Sequence, residues 1–214
     1  FQALASDDEA YGEWTKIAIL DPENVEAQFR MGQIDYNKRN YESAKEKLEK
    51  TLQIDPEYRA ARRLIGLCYD ALGETGIASE WLLKEAISDP LLYSNWLKVV
   101  DVLLKEGNEG ACRELIETIP GHVGENHKSV WFPFLLSKSI GWTERSDELW
   151  HSVLEKISIN VETLEEVVGD LLDLGEVRLA LDAIDTAEEH DIDTSTVLYS
   201  VQDICKTTGY GLDD

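Results

Sequence analysis

The chain has 214 residues, a formal net charge of −23 and a hydrophobic fraction of 43%. That fraction is ordinary for a globular protein and argues against disorder throughout. The negative charge disfavours nucleic acid and anionic membrane surfaces as partners, because both would repel it. No run of about 18 apolar residues predicts a membrane-spanning helix.

The first predicted element is a helix over residues 7–20. Its apolar face is formed, at helical spacing, by Ala10, Trp14 and Ile17. Beyond it, two series of residues recur every 34 positions, which indicates an internal repeat. The first series is formed by Pro22, Pro56 and Pro90. Each of these prolines is expected just before a new helix, where a restricted φ and a missing N–H do least harm.

The second series of residues follows apolar helical stretches and is formed by Gly73, Gly107, Gly141, Gly175 and Gly209. A helix often ends on one residue in the left-handed conformation, which glycine adopts without steric cost. Each glycine therefore predicts a turn between two helices. In the first complete repeat this place is held by Arg39 and Asn40, and asparagine also tolerates the left-handed region.

Residues 24–56 carry the pattern that is most specific. Counted from Val25, small residues stand at positions 8 and 20, leucine at 24 and proline at 32, namely Gly32, Ala44, Leu48 and Pro56. The next repeat begins at Arg59 and has matching residues in Gly66, Tyr69, Ala78, Leu82 and Pro90. These residues resemble the tetratricopeptide repeat. The resemblance implies an all-α, right-handed superhelical solenoid of antiparallel helix pairs.

The same phase predicts the organisation of the whole chain. Residues 1–24 hold the second helix of a preceding partial repeat, and residues 25–126 hold three repeats. Residues 127–194 hold two divergent repeats, and residues 195–214 hold the first helix of a further partial repeat. Because a solenoid needs polar capping helices, we expect more protein beyond at least one end.

Residues 120–128 interrupt the regular pattern. We expect Pro120 to end a second helix early, and Pro133 to make the next first helix start late or bend. His122 and His127, near Glu125, match no spacing of metal ligands, and we interpret them as exposed residues of a loop.

Residues that would support catalysis are not evident. The sequence has no phosphate-binding glycine loop, nucleophile elbow or metal-ligand motif, so we predict no enzyme activity, no cofactor and no metal. Cys68, Cys112 and Cys205 lack the spacing of a disulfide framework or zinc site, and are interpreted as reduced thiols in the cytoplasm.

The predicted function is a non-enzymatic protein–protein interaction module, an adaptor or scaffold. Two alternatives remain open: a structural subunit of a larger assembly, and a regulatory solenoid domain of a larger enzyme. The resemblance implies that the partner lies on the concave face, against positions 2, 5, 9 and 12 of each first helix. Charge changes on the outer second helices, such as Lys47→Glu, are then expected to have little effect.

The candidate contact residues share those positions and are Phe29, Gln33, Tyr36, Arg63, Leu67, Asp70, Leu97, Asp101, Trp131, Leu135 and Lys138. The aromatic residues and arginine among them are the types that most often anchor interfaces: Phe29, Tyr36, Arg63 and Trp131. In the alternative interpretation, Phe29 and Trp131 pack into neighbouring repeats instead.

The uneven distribution of acids suggests a partner with basic character. Residues 161–194 contain twelve acids and one base, whereas residues 25–58 contain seven acids and six bases. The alternative is a surface that is merely solvated. Family members that grip an acidic chaperone tail use lysine, arginine and asparagine at five places, which hold Phe29, Gln33, Leu64, Ser94 and Lys98 here. One repeat later, these places hold three cations but no asparagine, namely Arg63, Leu67, Lys98, Lys128 and Phe132. We therefore do not expect such a tail as the partner.

Overall fold

The computed structural model describes residues 2–157, 161–173, 175–195, 197–199 and 201. Within these residues the secondary structure is helical, with eleven complete helices and no strand. The helices are α1 Gln2–Leu20, α2 Val25–Asn37, α3 Tyr41–Ile54, α4 Arg59–Ala71, α5 Thr75–Ser88, α6 Tyr93–Lys105, α7 Glu109–Val123, α8 Lys128–Ser139, α9 Thr143–Ile157, α10 Val161–Asp173 and α11 Val177–Glu189. The predicted all-α class is confirmed.

The helices form the predicted helix pairs. Helix α2 packs on α3, α4 on α5, α8 on α9 and α10 on α11. Contacts of α3 with α4 and of α5 with α6 stack successive pairs. The chain divides into two compact units, unit 1 with residues 1–114 and unit 2 with residues 115–214.

The turns inside the helix pairs are left-handed, as predicted. Gly73, Gly107, Gly141 and Gly175 have φ between 71° and 80°. In the first repeat the residue with positive φ is Arg39, at 64°, while Asn40 has φ −87°. The expected role of Asn40 therefore belongs to Arg39. Gly209 lies outside the described residues.

Each of these turns is closed by the same backbone hydrogen bond. The residue after the left-handed position donates its N–H to the carbonyl five residues earlier, as Glu74 does to Tyr69 at 2.9 Å. Equivalent donors, each 34 residues from the next, are Asn40, Glu74, Asn108, Trp142 and Glu176. These bonds satisfy carbonyls that the helix end leaves unpaired.

The small residues at position 8 allow close approach of the two helices in a pair. A Cβ added to Gly32 would lie 2.8 Å from Cγ of Leu48, and one added to Gly66 would lie 2.9 Å from Cγ of Leu82. Both contacts are shorter than side chains tolerate. Glycine at position 8 and leucine at position 24 thus form one interlocking contact.

The prediction for Pro120 was wrong. Helix α7 continues through Pro120 and ends at Val123, and the next residue, Gly124, has φ 85°. Ile116, Ile119 and Val123 are buried along one face of this helix. Because this packing holds the last turn, one missing hydrogen bond does not end the helix. Pro133 likewise lies inside α8, which begins at Lys128, one residue after the predicted repeat start.

The two histidines near this segment also differ from the prediction of an exposed loop. His122 is exposed, as predicted, but it lies in the last turn of α7 instead of in a loop. His127 is the N-terminal flanking residue of α8, its side chain is 17% exposed, and its Nε2 lies 3.0 Å from Oε2 of Glu166. The partner of His127 lies 39 residues away in sequence, so spacing alone could not reveal it.

Candidate functional site

The first helices of unit 1 carry the candidate site. Helices α2, α4 and α6 begin at the predicted positions, and α4 contacts α2 directly. Two adjoining concavities lie along them, with volumes of about 440 Å³ and about 390 Å³. They share Arg63, Leu67 and Glu85, and we call them together the groove.

The outer concavity of the groove is lined by side chains of α2, α4 and α5 with flanking residues, namely Phe29, Gln33, Arg59, Ala60, Arg63, Leu64, Leu67, Glu85 and Asp89. The central concavity is lined mainly by α4 and α6, namely Tyr36, Arg63, Leu67, Leu82, Glu85, Ser94, Asn95, Leu97, Lys98 and Asp101. Polar, charged, aromatic and aliphatic side chains therefore face one continuous depression.

Seven of the eleven predicted contact residues line the groove: Phe29, Gln33, Tyr36, Arg63, Leu67, Leu97 and Asp101. Asp70 is not among the lining residues. Its side chain is 10% exposed and accepts hydrogen bonds from Nζ of Lys105 at 2.7 Å, with Nζ of Lys98 at 3.7 Å. Asp70 therefore holds two lysines of α6 against α4.

Phe29 lies in the wall of the groove rather than on its surface. Only 6% of the residue is exposed, and its ring centroid lies 4.9 Å from that of Tyr58. It also belongs to the core cluster around Ala44, Leu48 and Ile65. Most of the Phe29 side chain therefore packs into the core, as the alternative interpretation expects. A small part of it remains exposed at the outer concavity.

The three predicted contact residues in unit 2 do not form a comparable surface. Trp131 has no exposed surface, its Nε1 donates a hydrogen bond to Oδ2 of Asp170 at 2.7 Å, and its ring stacks on Phe134. Leu135 is 5% exposed. Helix α8 thus turns both Trp131 and Leu135 into the core, where they offer little surface to a partner.

Lys138 is the third of these residues and is partly exposed. Its Nζ lies 3.1 Å from Oε1 of Glu176. Near the other end of α8, Nζ of Lys128 lies 2.7 Å from Oε1 of Glu166. The contacts of Lys128, Trp131 and Lys138 thus link α8 to α10 and to Glu176, the residue before α11. The two lysines neutralise part of the acidic charge of residues 161–194.

Most charges in and beside the groove are paired. Nη2 of Arg59 lies 3.2 Å from both Glu85 and Asp89. In contrast, neither Arg63 nor Asp101 has an ion pair or hydrogen bond of its side chain within the described residues, and both are exposed. The central concavity therefore presents one free cation and one free carboxylate. Burial raises the pKa of Tyr36 beside them.

Asn95 is a residue of the central concavity that sequence reasoning missed. It is 6% exposed, and its Nδ2 atom is buried without a hydrogen-bond partner in the described part of the chain. Asn95 stands at position 3 of its repeat, beside the predicted stripe. Glu85 was missed for another reason: it belongs to the second helix α5, whose contribution to the groove a first-helix pattern cannot show.

Among the residues that the structure describes, no group of three or more histidine, cysteine, aspartate or glutamate side chains could hold a metal ion. Cys68 and Cys112 are buried free thiols, and burial raises the pKa of Cys68 to about 11. In that same part of the chain, none of the helices has the length and apolar character needed to cross a membrane.

Comparison with known proteins agrees with this architecture. Residues 25–58 match the family model described as "Tetratricopeptide repeat". The crystal structure of MamA aligns with a TM-score of 0.53 and 19% identity, covering 72% of this chain and 91% of that chain. The Pseudomonas aeruginosa PilF structure aligns with a TM-score of 0.50 and 21% identity, covering 72% of this chain and 70% of that chain.

These findings confirm the predicted fold. The chain contains one repeat, residues 25–58, that matches the tetratricopeptide family model, and its helix pairs have the fold of solved tetratricopeptide-repeat structures. At identities near 20% the likeness to MamA and PilF concerns the fold alone. No curated protein sequence matches the chain.

Proposed function

We propose that this chain is a non-enzymatic protein–protein interaction module that binds a peptide segment of its partner in the groove of unit 1. The observation that carries the proposal is the central concavity. It combines a half-buried tyrosine, Tyr36, an unpaired arginine, Arg63, and two leucines, Leu67 and Leu97. Tyrosine and arginine are over-represented among residues that dominate binding energy.

The shape of the groove supports a peptide rather than a small molecule. Its two concavities adjoin along α2, α4 and α6, so an occupant that filled both would be elongated. The mixture of apolar and charged side chains is typical of peptide recognition, in which a few anchors provide affinity and charges provide specificity. Catalysis is not part of the proposal, because the sequence carries no phosphate-binding glycine loop or nucleophile elbow and no group of described residues could hold a metal ion.

A basic segment of the partner is also proposed, for the acidic repeat of residues 161–194. Glu162 and Glu165 are exposed on α10, and Asp185 and Glu189 are exposed on α11. Exposed charges are screened at distances beyond about 10 Å in 0.1 M salt, so partner affinity should fall as salt rises. Affinity that stays constant would leave these acids as a solvated surface.

Buried free thiols at Cys68 and Cys112 suit the cytoplasm, which we propose as the compartment.

The groove can be tested with peptides selected from a random display library on the 214-residue protein. Tyr36→Ala and Arg63→Glu should each weaken binding of the selected peptides by tenfold or more, about 1.4 kcal/mol. Thermal melts establish that each variant is folded. If both variants bind as the parent does, the partner uses another face and the proposal fails.

The control variant for this test should change an exposed charge on a second helix, away from the groove, without disturbing the fold. Lys47→Glu was expected to be harmless, but Nζ of Lys47 lies 2.9 Å from Oδ2 of Asp35, a residue that is 5% exposed. Reversing that charge would leave Asp35 facing a like charge and would threaten the fold. Lys50 is exposed on the same helix α3 and has no side-chain partner in the described structure. Lys50→Glu is therefore the matched control, and it should leave peptide affinity unchanged.

A further inference from the structure

The two unpaired charges of the central concavity stand in a defined arrangement. Arg63 belongs to α4 and Asp101 to α6. The repeat places Arg63 level with Leu97, and Leu67 level with Asp101, since each pair is 34 residues apart. The ion pair between Asp70 and Lys105, which are 35 residues apart, confirms this alignment of α4 and α6. The two charges are therefore about one helical turn apart along the helix axes, roughly 5–6 Å.

Two leucines line the central concavity together with these charges. Leu67 of α4 and Leu97 of α6 line the same concavity as Arg63 and Asp101. Neighbouring charges are already engaged: Lys98 and Lys105 approach Asp70, and Arg59 approaches Glu85 and Asp89. Within the described residues, these pairings leave one unpaired cation and one unpaired carboxylate in the same concavity as the two leucines.

We propose that the central concavity recognises a peptide segment with an acidic and a basic side chain on either side of an apolar one. The acidic side chain pairs with Arg63, the basic side chain pairs with Asp101, and the apolar side chain packs on Leu67 and Leu97. The proposal rests on the proposed function, because it names the chemistry of the peptide that the groove binds.

Electrostatics favours this ligand over one of a single sign. A guanidinium and a carboxylate form strong, often bidentate hydrogen bonds when they are partly desolvated. A purely basic segment would satisfy Asp101 and be repelled by Arg63, and a purely acidic segment would do the reverse. Each such mismatch adds a repulsive contact or an unpaired charge, which is how interfaces reject wrong partners.

The experiment uses random twelve-residue peptides displayed and selected on the full 214-residue protein, followed by affinity measurements on the enriched sequences. We expect the enriched peptides to carry one acidic and one basic residue at a constant separation. Arg63→Gln should weaken binding of an enriched peptide by tenfold or more. Arg63→Gln should cause no such loss for a second peptide in which the acidic residue has been replaced by glutamine. Asp101→Asn should also weaken binding of the enriched peptide by tenfold or more, but not binding of a peptide whose basic residue has been replaced by glutamine.

The outcomes separate this inference from the proposed function. Lys50→Gln, on the outer helix α3, serves as the control and should not alter binding. If the peptides lose binding to Tyr36→Ala but show no paired charges, or if Arg63→Gln and Asp101→Asn leave binding unchanged, the inference is overturned while the groove remains a binding site. If no peptide depends on Tyr36, or none is enriched, the proposed function itself fails.

Discussion

Among single residues, Asn95 shows most directly how the groove differs from a packed core. A buried amide without a partner costs about 1–3 kcal/mol, because it gives up water without gaining a hydrogen bond. Asn95 bears this cost while lining the central concavity. An acceptor on a bound peptide, such as a backbone carbonyl, would relieve it.

Replacing Asn95 by leucine should therefore separate stability from binding. Asn95→Leu removes the unpaired amide at similar volume and should raise the free energy of unfolding by about 1 kcal/mol, while weakening binding of groove-selected peptides. Ser137 offers a matched control, since its Oγ is also buried without a partner in the described residues but lies in α8, outside the groove. Ser137→Ala should not affect peptide binding. Unaltered binding by Asn95→Leu would show that its amide does not meet the ligand.

The left-handed turn residues give a second comparison at this scale. A non-glycine residue with positive φ is strained by about 1–2 kcal/mol, and Arg39 has φ 64° where four later turns have glycine. Arg39→Gly should raise the free energy of unfolding by up to about 1 kcal/mol, since glycine's greater unfolded-state entropy offsets part of the relief. Gly175→Val, at φ 77°, should lower it by about 1–3 kcal/mol. Denaturant unfolding measures both, and equal stability of all three proteins would contradict the assigned turn geometry.

At the scale of helices, the contact between positions 8 and 24 determines how closely a pair can approach. Gly32 of α2 faces Leu48 of α3, and no Cβ fits between them without displacing the leucine. The cost of glycine's flexibility in a helix interior, about 1 kcal/mol relative to alanine, is tolerated here because the helices pack more closely.

Gly32→Ala should accordingly destabilise the protein by about 1–3 kcal/mol through overpacking. The same change at Gly12 of α1 is the control, because nothing lies within 4 Å of the added Cβ there. Gly12→Ala should stabilise the protein by about 1 kcal/mol as a gain in helix propensity. The two changes in unfolding free energy should have opposite signs, and equal signs would show that the helices in the α2–α3 pair separate easily.

At the scale of the whole molecule, the net charge of −23 is the dominant property. Self-repulsion of a high net charge destabilises the compact state, and salt screens it. Ion pairs such as Lys128 with Glu166 offset only part of the charge in residues 161–194.

Raising NaCl from about 20 mM, where charges interact over roughly 20 Å, to about 300 mM, where screening is much shorter, should therefore raise the melting temperature. The double variant Asp185→Asn and Glu189→Gln removes two exposed carboxylates of α11 that have no side-chain partner within the described residues. It should melt higher than the parent at low salt and show a smaller salt response. A melting temperature independent of salt in the parent would mean that the acids are too well separated to repel one another.

The sequence by itself determined the helical class, the repeat phase and the left-handed turns, but not the continuation of α7 through Pro120. The first residues of α2, α4, α6 and α10 follow from the 34-residue phase, because the left-handed turns inside the helix pairs are local requirements that recur at that spacing. The stripe of positions on α2, α4 and α6 likewise predicted most of the groove's lining, since spacing along a helix determines which residues share a face.

Tertiary structure alone decided which of those residues remain available to a partner. Trp131 and Phe29 have the same repeat position, yet Trp131 is fully buried beside Asp170 while Phe29 retains an edge at the groove. The pairing of Lys47 with Asp35, the unpaired amide of Asn95 and the freedom of Arg63 and Asp101 also depend on neighbours from other helices. Periodicity specifies the direction of a side chain from its own helix, but burial and charge pairing depend on the side chains that neighbouring helices bring against it.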